Sequence, residues 1–387
     1  MGLKGSQGEE MSKILTIVVP TYNEGENPKR VITALKEALC ERKFEVVFVD
    51  DSRDERSMQI LAELAEESEQ VRYIHREVER GLGTAVVRGF EEAKGNLIAV
   101  MDADLQHPPE VLNDMLEQIE LGYDMVIPSR FVPGGDDGGL SSFRKFVSFT
   151  ARVMGQFALK RVRPISDPTS GFFLIRKEVV EGVKLQPIGW KILIEILVRG
   201  NYDKVVEIPY RFQARIAGSS NMSLREQWNY LKHLTRLILD SPEDRRAYFF
   251  AAVGISGVVI NMLVYTICVH LHMALWVSGI TAGIVAMISN FVLNDRLTWF
   301  DSRSGQLWKR LFKYVVTSLI GIGINTGVLS VLAYGLHVHY IVANAIGIIV
   351  AMIWNFYVNN FWTWNIERQK TSVTVATVTL EQVNVKA

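Results

Sequence analysis

Two stretches of the chain carry no ionisable charge. Ala247 to Asn294 and Tyr314 to Ile366 contain no Asp, Glu, Lys or Arg, across 48 and 53 residues. One helical crossing of a bilayer needs about 20 apolar residues, so each stretch accommodates two crossings and a tight turn. The expected spans are 248–269, 274–294, 314–335 and 341–363. The competing reading is a buried helical hairpin of a soluble protein, and uncharged runs of this length exceed ordinary core helices. The loop Asp295–Lys313 holds Arg296, Arg303, Lys309, Arg310 and Lys313, whereas the hairpin tips carry only His270, His272, His337 and His339. Basic loops stay on the cytoplasmic side. Four spans then leave both termini, and everything before Ala247, in the cytoplasm of a multi-pass integral membrane protein. Trp276, Trp299, Trp362 and Trp364 lie near span ends, where interfacial aromatic belts form.

This region also repeats. Ala286-Met287 and Asn290-Phe291 return as Ala351-Met352 and Asn355-Phe356, Thr298-Trp299 returns as Thr363-Trp364, and Asn261 returns near Asn325. An offset of one hairpin implies two similar hairpins. The asparagines read first as inter-helix hydrogen-bonding glue, and second as the lining of a path for lipid. Self-association of the spans into a homo-oligomer is a further expectation.

The rest of the 387-residue chain is long enough for another domain. Lys plus Arg and Asp plus Glu both number 42, which argues against a nucleic-acid binder and against an acidic disordered chain. Cys40 and Cys268 cannot build a disulfide framework. Met1–Ser12 is polar, without an apolar core, and does not read as a signal peptide.

Short apolar runs at Ile14–Val19, Val46–Val49, Val71–Ile74, Leu97–Met101 and Met125–Ile127 alternate with helix-like stretches at Pro28–Leu39, Glu55–Glu66, Gly83–Ala93 and Pro109–Glu120. The alternation predicts an α/β domain, a mostly parallel sheet with helices on both faces. Ligands of such sheets bind beyond the carboxyl ends of the strands. Polar or glycine-rich segments follow each run: Pro20-Thr21-Tyr22-Asn23-Glu24, Asp50-Asp51, Arg80-Gly81-Leu82-Gly83-Thr84-Ala85, Asp102-Ala103-Asp104-Leu105-Gln106 and Ser129-Arg130. Gly81-Leu82-Gly83 is a poor dinucleotide fingerprint, lacking a third glycine and the first-strand position. Asp102 and Asp104 repel unless a cation neutralises them. With Gln106 they form a hard oxygen set suited to Mg²⁺ or Mn²⁺, which binds through substrate phosphates.

Taken in order, these segments resemble the inverting glycosyltransferase family two with its GT-A nucleotide-sugar fold, in the branch of dolichol- and polyprenol-phosphate mannose synthases. Ser166-Asp167-Pro168-Thr169-Ser170-Gly171-Phe172-Phe173 and Gly189-Trp190-Lys191-Ile192-Leu193 extend the match over about 14–240. The four spans resemble a GtrA-like all-α membrane domain. The resemblance implies that Pro20, Tyr22, Glu24 and Asp51 hold the nucleoside, and that Asp102, Asp104 and Gln106 hold the metal. Ala103, Arg130 and Arg215 join the nucleotide-sugar site, and Asp104, Arg130, Arg144 and Arg215 are the expected catalytic residues.

The implied reaction moves mannose from GDP-mannose to the phosphate of a membrane polyprenyl or dolichyl phosphate. UDP-glucose is the alternative donor, and translocation of a lipid-linked sugar the alternative activity. A phosphate monoester needs cationic positioning, and the planar fork of Arg suits oxyanions; Arg130, Arg144 and the hydroxyl of Ser148 are the candidates. Asp167 is expected to support the acceptor loop. Where the family has Gly-x-Ser-Lys after an Arg, this chain has Gly218-Ser219-Ser220-Asn221. Ser142–Arg163 mixes bases with apolar residues at helical spacing, and Leu224, Trp228, Leu231, Leu234 and Ile238 form a second stripe, as interfacial helices do. The expected division is a disordered 1–11, a catalytic domain at 12–221, an interfacial helix and linker at 222–246, a transmembrane domain at 247–366, and a tail at 367–387. Like the N-terminus, the Val- and Thr-rich tail is expected to be poorly ordered.

Overall fold

The computed structural model describes residues 14–40, 42–139, 142–213, 224–303, 305–366 and 374–378, except the side chains of 142–144. The chain forms two units, 1–238 with 371–387, and 239–370. The expected disorder of 1–11 lies outside the described residues.

The first unit is an eight-stranded sheet. Its strands are β1 (Leu15–Thr21), β2 (Phe44–Asp50), β3 (Val71–His75), β4 (Leu97–Val100), β5 (Met125–Ser129), β6 (Phe173–Arg176), β7 (Lys204–Pro209) and β8 (Thr374–Thr377), in the order β3-β2-β1-β4-β6-β5-β7-β8. All pairings are parallel except those of β6. Every residue of β1 and β2 is buried, as expected for strands covered on both faces. One layer is α1 (Asn27–Ala38), α2 (Glu55–Glu67) and α4 (Val111–Glu120). The other is α3 (Leu82–Glu92), α5 (Ser142–Ala158), α6 (Ile192–Arg199) and α7 (Leu224–Asp240). Asp54 caps α2, accepting the Ser57 amide at 2.8 Å. Gly89 lets α3 lie on β1, because a Cβ there would sit 2.2 Å from Val18 Cγ1.

Two features depart from the sequence expectation. The antiparallel β6 and the parallel β7 were not among the runs read from the sequence. The tail is not wholly without structure: Thr374–Thr377 pairs with β7. Its alternating Thr and Val residues carry a strand pattern that its position after the spans obscured.

The second unit holds four helices long and apolar enough to cross a membrane, Pro242–His270, Leu275–Thr298, Leu307–Gly335 and Tyr340–Thr363. The repeat is visible in detail. Equivalent π-helical turns, Asn294–Thr298 and Asn359–Thr363, end the second and fourth spans. In each, the threonine hydroxyl donates to the asparagine Oδ1 at 2.7 Å. Trp299 and Trp364 are not belt residues: both are buried, stacked with centroids 4.1 Å apart and planes at 8°. Trp299 Nε1 donates to Asn360 Oδ1 at 3.1 Å, and Trp364 Nε1 to Asp295 Oδ1 at 3.0 Å. The repeat puts the two indoles face to face, and each bonds to the other hairpin. Trp276 and Trp362 remain exposed.

The repeated asparagines act by close packing. A Cβ on Gly257 would meet the Asn290 amide at 2.4 Å, and one on Gly321 the Asn355 amide at 2.6 Å. The Oδ1 atoms of Asn290, Asn325 and Asn355 have no hydrogen-bond partner among the described residues and lie against Gly257, Gly347 and Gly321.

Asp295 also accepts from Arg310 Nε at 3.0 Å, and both side chains are about nine-tenths buried. Asp295→Ala strands a buried guanidinium and should cost about 3 kcal/mol, read as a lower unfolding temperature of the full chain in detergent. Asp295→Asn, which copies Asn360, should cost clearly less. Equal losses would show that charge alone holds the cluster.

Candidate active site

The site is built where strands leave one edge of the sheet. Thr21 is in register with Asp50, and Val18 with Val100, so Pro20 and Asp102, each two places further, emerge side by side. β6 runs the other way and enters at the edge its neighbours leave. Phe173 pairs with Val100, which sets Gly171 against Asp102: a Cβ there would lie 3.3 Å from Asp102 Oδ2. The unread strand therefore carries Ser166–Gly171 across the site.

On the carboxylate side, Leu105 takes a left-handed conformation at φ 57°, uncommon for a branched residue. This folds Gln106 back, and its amide donates to Asp104 Oδ1 at 3.1 Å. Gln106 Nε2 donates to the Gln213 carbonyl at 3.2 Å. Asp104 and Ala103 are buried, whereas the Asp102 side chain is 39% exposed. His107 Nε2 lies 3.2 Å from Asp102 Oδ2, and Tyr210 Oη is 3.5 Å from His107 Nδ1. Burial raises the Tyr210 pKa, which keeps the phenol a donor. His107 thus braces the Asp102 carboxylate from behind, as outer partners of metal ligands do. Among the described residues no three His, Cys, Asp or Glu side chains are grouped to hold a metal alone. Two carboxylates and an amide oxygen fit a hard divalent ion whose remaining ligands are water and substrate phosphate.

On the cationic side, Arg130 follows β5. Its Nε and Nη2 donate to Asp167 at 2.9 and 3.2 Å. Asp167 is fully buried. Burial works against the Arg130 charge, but the Asp167 carboxylate outweighs it and raises the pKa above the ordinary value. Two of its three nitrogens are thus engaged by Asp167. Glu207 of β7 fixes the Asp167 loop, accepting Ser166 N at 2.8 Å, Ser166 Oγ at 2.7 Å and Asp167 N at 3.1 Å. Asp167 in turn grips Arg130 through both carboxylate oxygens.

A cavity of about 250 Å³ lies between these sides, lined by Asp102, Gln106, Arg130, Ser148, Trp190 and Lys191, with Glu226, Gln227 and Tyr230 of α7 closing it. Arg144 stands one helical turn before Ser148 on α5 and so on the same face; its side chain lies outside the described residues, as does Arg215. Pro20, Tyr22, Glu24 and Asp51 sit at the β1–β2 end of the edge, outside this cavity. Tyr22 is 48% exposed. Both Asp51 oxygens are engaged, Oδ1 by Arg76 Nε at 2.8 Å, and Oδ2 by Arg76 Nη2 at 2.7 Å and Gly81 N at 2.8 Å. Asp51 therefore fixes the Arg80–Gly83 turn.

Lys191, His107, Tyr210 and Trp190 were not assigned roles from sequence. Lys191 had one legible signal, a lone cation directly before the apolar Ile192–Leu197. The pair Glu195 and His233, both fully buried, ties α6 to α7. Burial alone would raise the Glu195 pKa, but hydrogen bonds from His233 and the Gln186 amide lower it. Outward, α5 presents Phe146, Phe149, Val153 and Phe157, and α7 presents Leu224, Trp228 and Leu231.

Residues 16–183 match Glycosyl transferase family 2, and residues 249–364 match the GtrA/DPMS transmembrane domain. A Dolichol-phosphate mannosyltransferase of Pyrococcus furiosus is 40% identical over 350 residues, 90% of this chain and 99% of that protein. The protein of that name from Saccharomyces cerevisiae is 35% identical over 242 residues, 59% of this chain and 88% of its own. The Polyprenol monophosphomannose synthase of Mycolicibacterium smegmatis is 34% identical over 216 residues, 54% of this chain and 80% of its own. The fold and site define a glycosyltransferase catalytic unit joined to a membrane domain. The chain belongs to the dolichol-phosphate mannosyltransferase family.

Burial pushes the Lys191 amine down to about 8, against the pull of Asp167 and Asp102. The amine is charged below that pH and loses its proton above it. Affinity for pyrophosphate, measured by calorimetry, should therefore fall as pH rises from 7 to 9. Lys191→Met should bind more weakly at pH 7 and show a flatter profile; an unchanged slope would remove Lys191 from the anion site.

Proposed function

We propose that the chain transfers mannose from GDP-mannose to the phosphate of a membrane polyprenyl (dolichyl) phosphate, inverting the anomeric carbon and releasing GDP. The observation that carries this reading is Arg130, clamped on buried Asp167 across a cavity from Asp102, between helices that present aromatic side chains outward. Such helices suit a bilayer interface, where a lipid-borne acceptor resides. The catalytic unit faces the cytoplasm.

An acceptor phosphate monoester has a second pKa of roughly 6, so it is largely a dianion at neutral pH. Its oxygen attacks the anomeric carbon as the bond to the diphosphate oxygen breaks, and the electron pair leaves with GDP. No proton is removed, and both Asp167 oxygens already accept from Arg130. Arg130, Arg144 and Ser148 align the attacking phosphate, with catalysis by positioning and electrostatics. Asp102, Asp104 and Gln106 would hold Mg²⁺ or Mn²⁺, which supplies charge neutralisation for the departing diphosphate. Lys191, between Asp102 and Arg130, adds a cation near the same phosphates. Pro20, Tyr22 and Glu24 take the nucleoside, with Asp51 setting the adjacent turn, and Arg215 serves the phosphates.

The test is transfer of labelled sugar into organic-extractable lipid by the full chain with Mn²⁺ and a polyprenyl phosphate. Label should come from GDP-mannose, vanish in Asp104→Ala, and fall about 10²- to 10³-fold in Arg130→Ala. Label from UDP-glucose alone would change the donor; none from either would overturn the reading.

A further inference from the structure

The outermost strand of the catalytic sheet comes from the far end of the chain. After the fourth span, β8 returns to pair with β7, with Lys204 opposite Thr374 and Glu207 opposite Thr377. Thr374 N donates to the Asp203 carbonyl at 2.8 Å, and Val378 N to the Glu207 carbonyl at 3.0 Å. The strand packs on both helical layers: Val375 joins the α3–α6 side, and Ala376 and Val378 the α1–α4 side. Without it, β7 would be the sheet edge. An edge strand has unpaired peptide groups along one side, and its backbone opens more readily than that of a central strand.

β7 is also the strand that carries Glu207. The Glu207 backbone is in register with Ile127 of β5 on one side and Thr377 of β8 on the other. Its side chain receives Ser166 and Asp167, and Asp167 holds Arg130. A continuous series of hydrogen bonds thus runs from the C-terminal segment to the guanidinium in the cavity.

We propose that residues 374–378 act as an intramolecular strap that fixes β7 and, through Glu207 and Asp167, positions Arg130 for the acceptor phosphate. The strap makes no contact with the reacting atoms; it is a positioning element. The link to acceptor binding rests on the acceptor role given to Arg130 above.

Two altered proteins test it. Ala376→Pro keeps the full chain but removes a ladder amide and breaks the strand. A chain ending at residue 370 is measured alone and with a synthetic peptide of residues 371–387. Hydrogen exchange at the Val205 and Glu207 amides, which face β8, should speed up by about tenfold or more in both. Acceptor kcat/KM should fall about tenfold, with donor KM changed less than about twofold. Added peptide should restore both readouts in the shortened chain, and Glu207→Gln should give the acceptor defect alone. Unchanged exchange at Val205 and Glu207 in Ala376→Pro would overturn the strap. So would equal losses toward donor and acceptor without rescue by peptide. If Arg130→Ala leaves acceptor KM unchanged, the acceptor role fails, while the exchange and rescue arms still decide the strap.

Discussion

Asp167 has no solvent exposure, so its charge must be neutralised where it stands, and Arg130 does so through two parallel hydrogen bonds. Breaking such a pair from one side is far more costly than any net gain from making it. The surrounding architecture accordingly fixes both partners. Glu207 binds the backbone that presents Asp167, β5 delivers Arg130, and the rings of Phe131 and Phe212 lie within 5.3 Å of its guanidinium carbon. An arginine held this way offers a charge whose direction is set before any ligand arrives. That preorganisation lets electrostatics act on a transition state without reorganising at the moment of reaction.

The opposite wall follows a different logic. His107 holds one Asp102 oxygen by a hydrogen bond, and the Asp102 side chain is 39% exposed, whereas the Arg130–Asp167 pair is buried. Under the proposed reading, Asp102 and Gln106 would face a divalent ion here, across the cavity from Arg130. Lys191 is the one lysine lining the cavity among the described residues, and burial lowers its pKa to about 8.

The parallel core was legible because buried strands read as continuous apolar runs, and each ended in a polar segment that the register then placed on one edge. Arg130, Asp102 and Gln106 stand in such segments and line the cavity, as does Ser148, which was named instead from its basic helix. Asp51 was read as a nucleoside ligand, and the sequence does not show that Arg76, twenty-five residues on, grips it. Lys191 and His107 were missed as functional groups because their roles come from burial and from a neighbour across the sheet. Trp299 and Trp364 were read as belt residues from their place near span ends. The repeat that was visible in the same residues implied a second possibility, that equivalent side chains meet near a pseudo-two-fold axis. β8 was missed because strand patterns after the last span were discounted as tail.

The membrane unit keeps its internal symmetry nearly everywhere except at Asp295, whose equivalent is Asn360. Both accept from the tryptophan of the other hairpin, so the hydrogen-bonding role is shared and only the charge is new. That charge is matched by Arg310 in the first turn of the third span. A lipid phosphate cannot leave the bilayer without exposing its chain, at about 0.8 kcal/mol per CH₂. Tethering cations to the membrane raises their effective concentration toward such an acceptor without any added contact. The repeated use of the spans' polar groups for packing is what a tether requires. Chemistry and anchoring can then be separate units of one chain, each obeying the solvent it occupies.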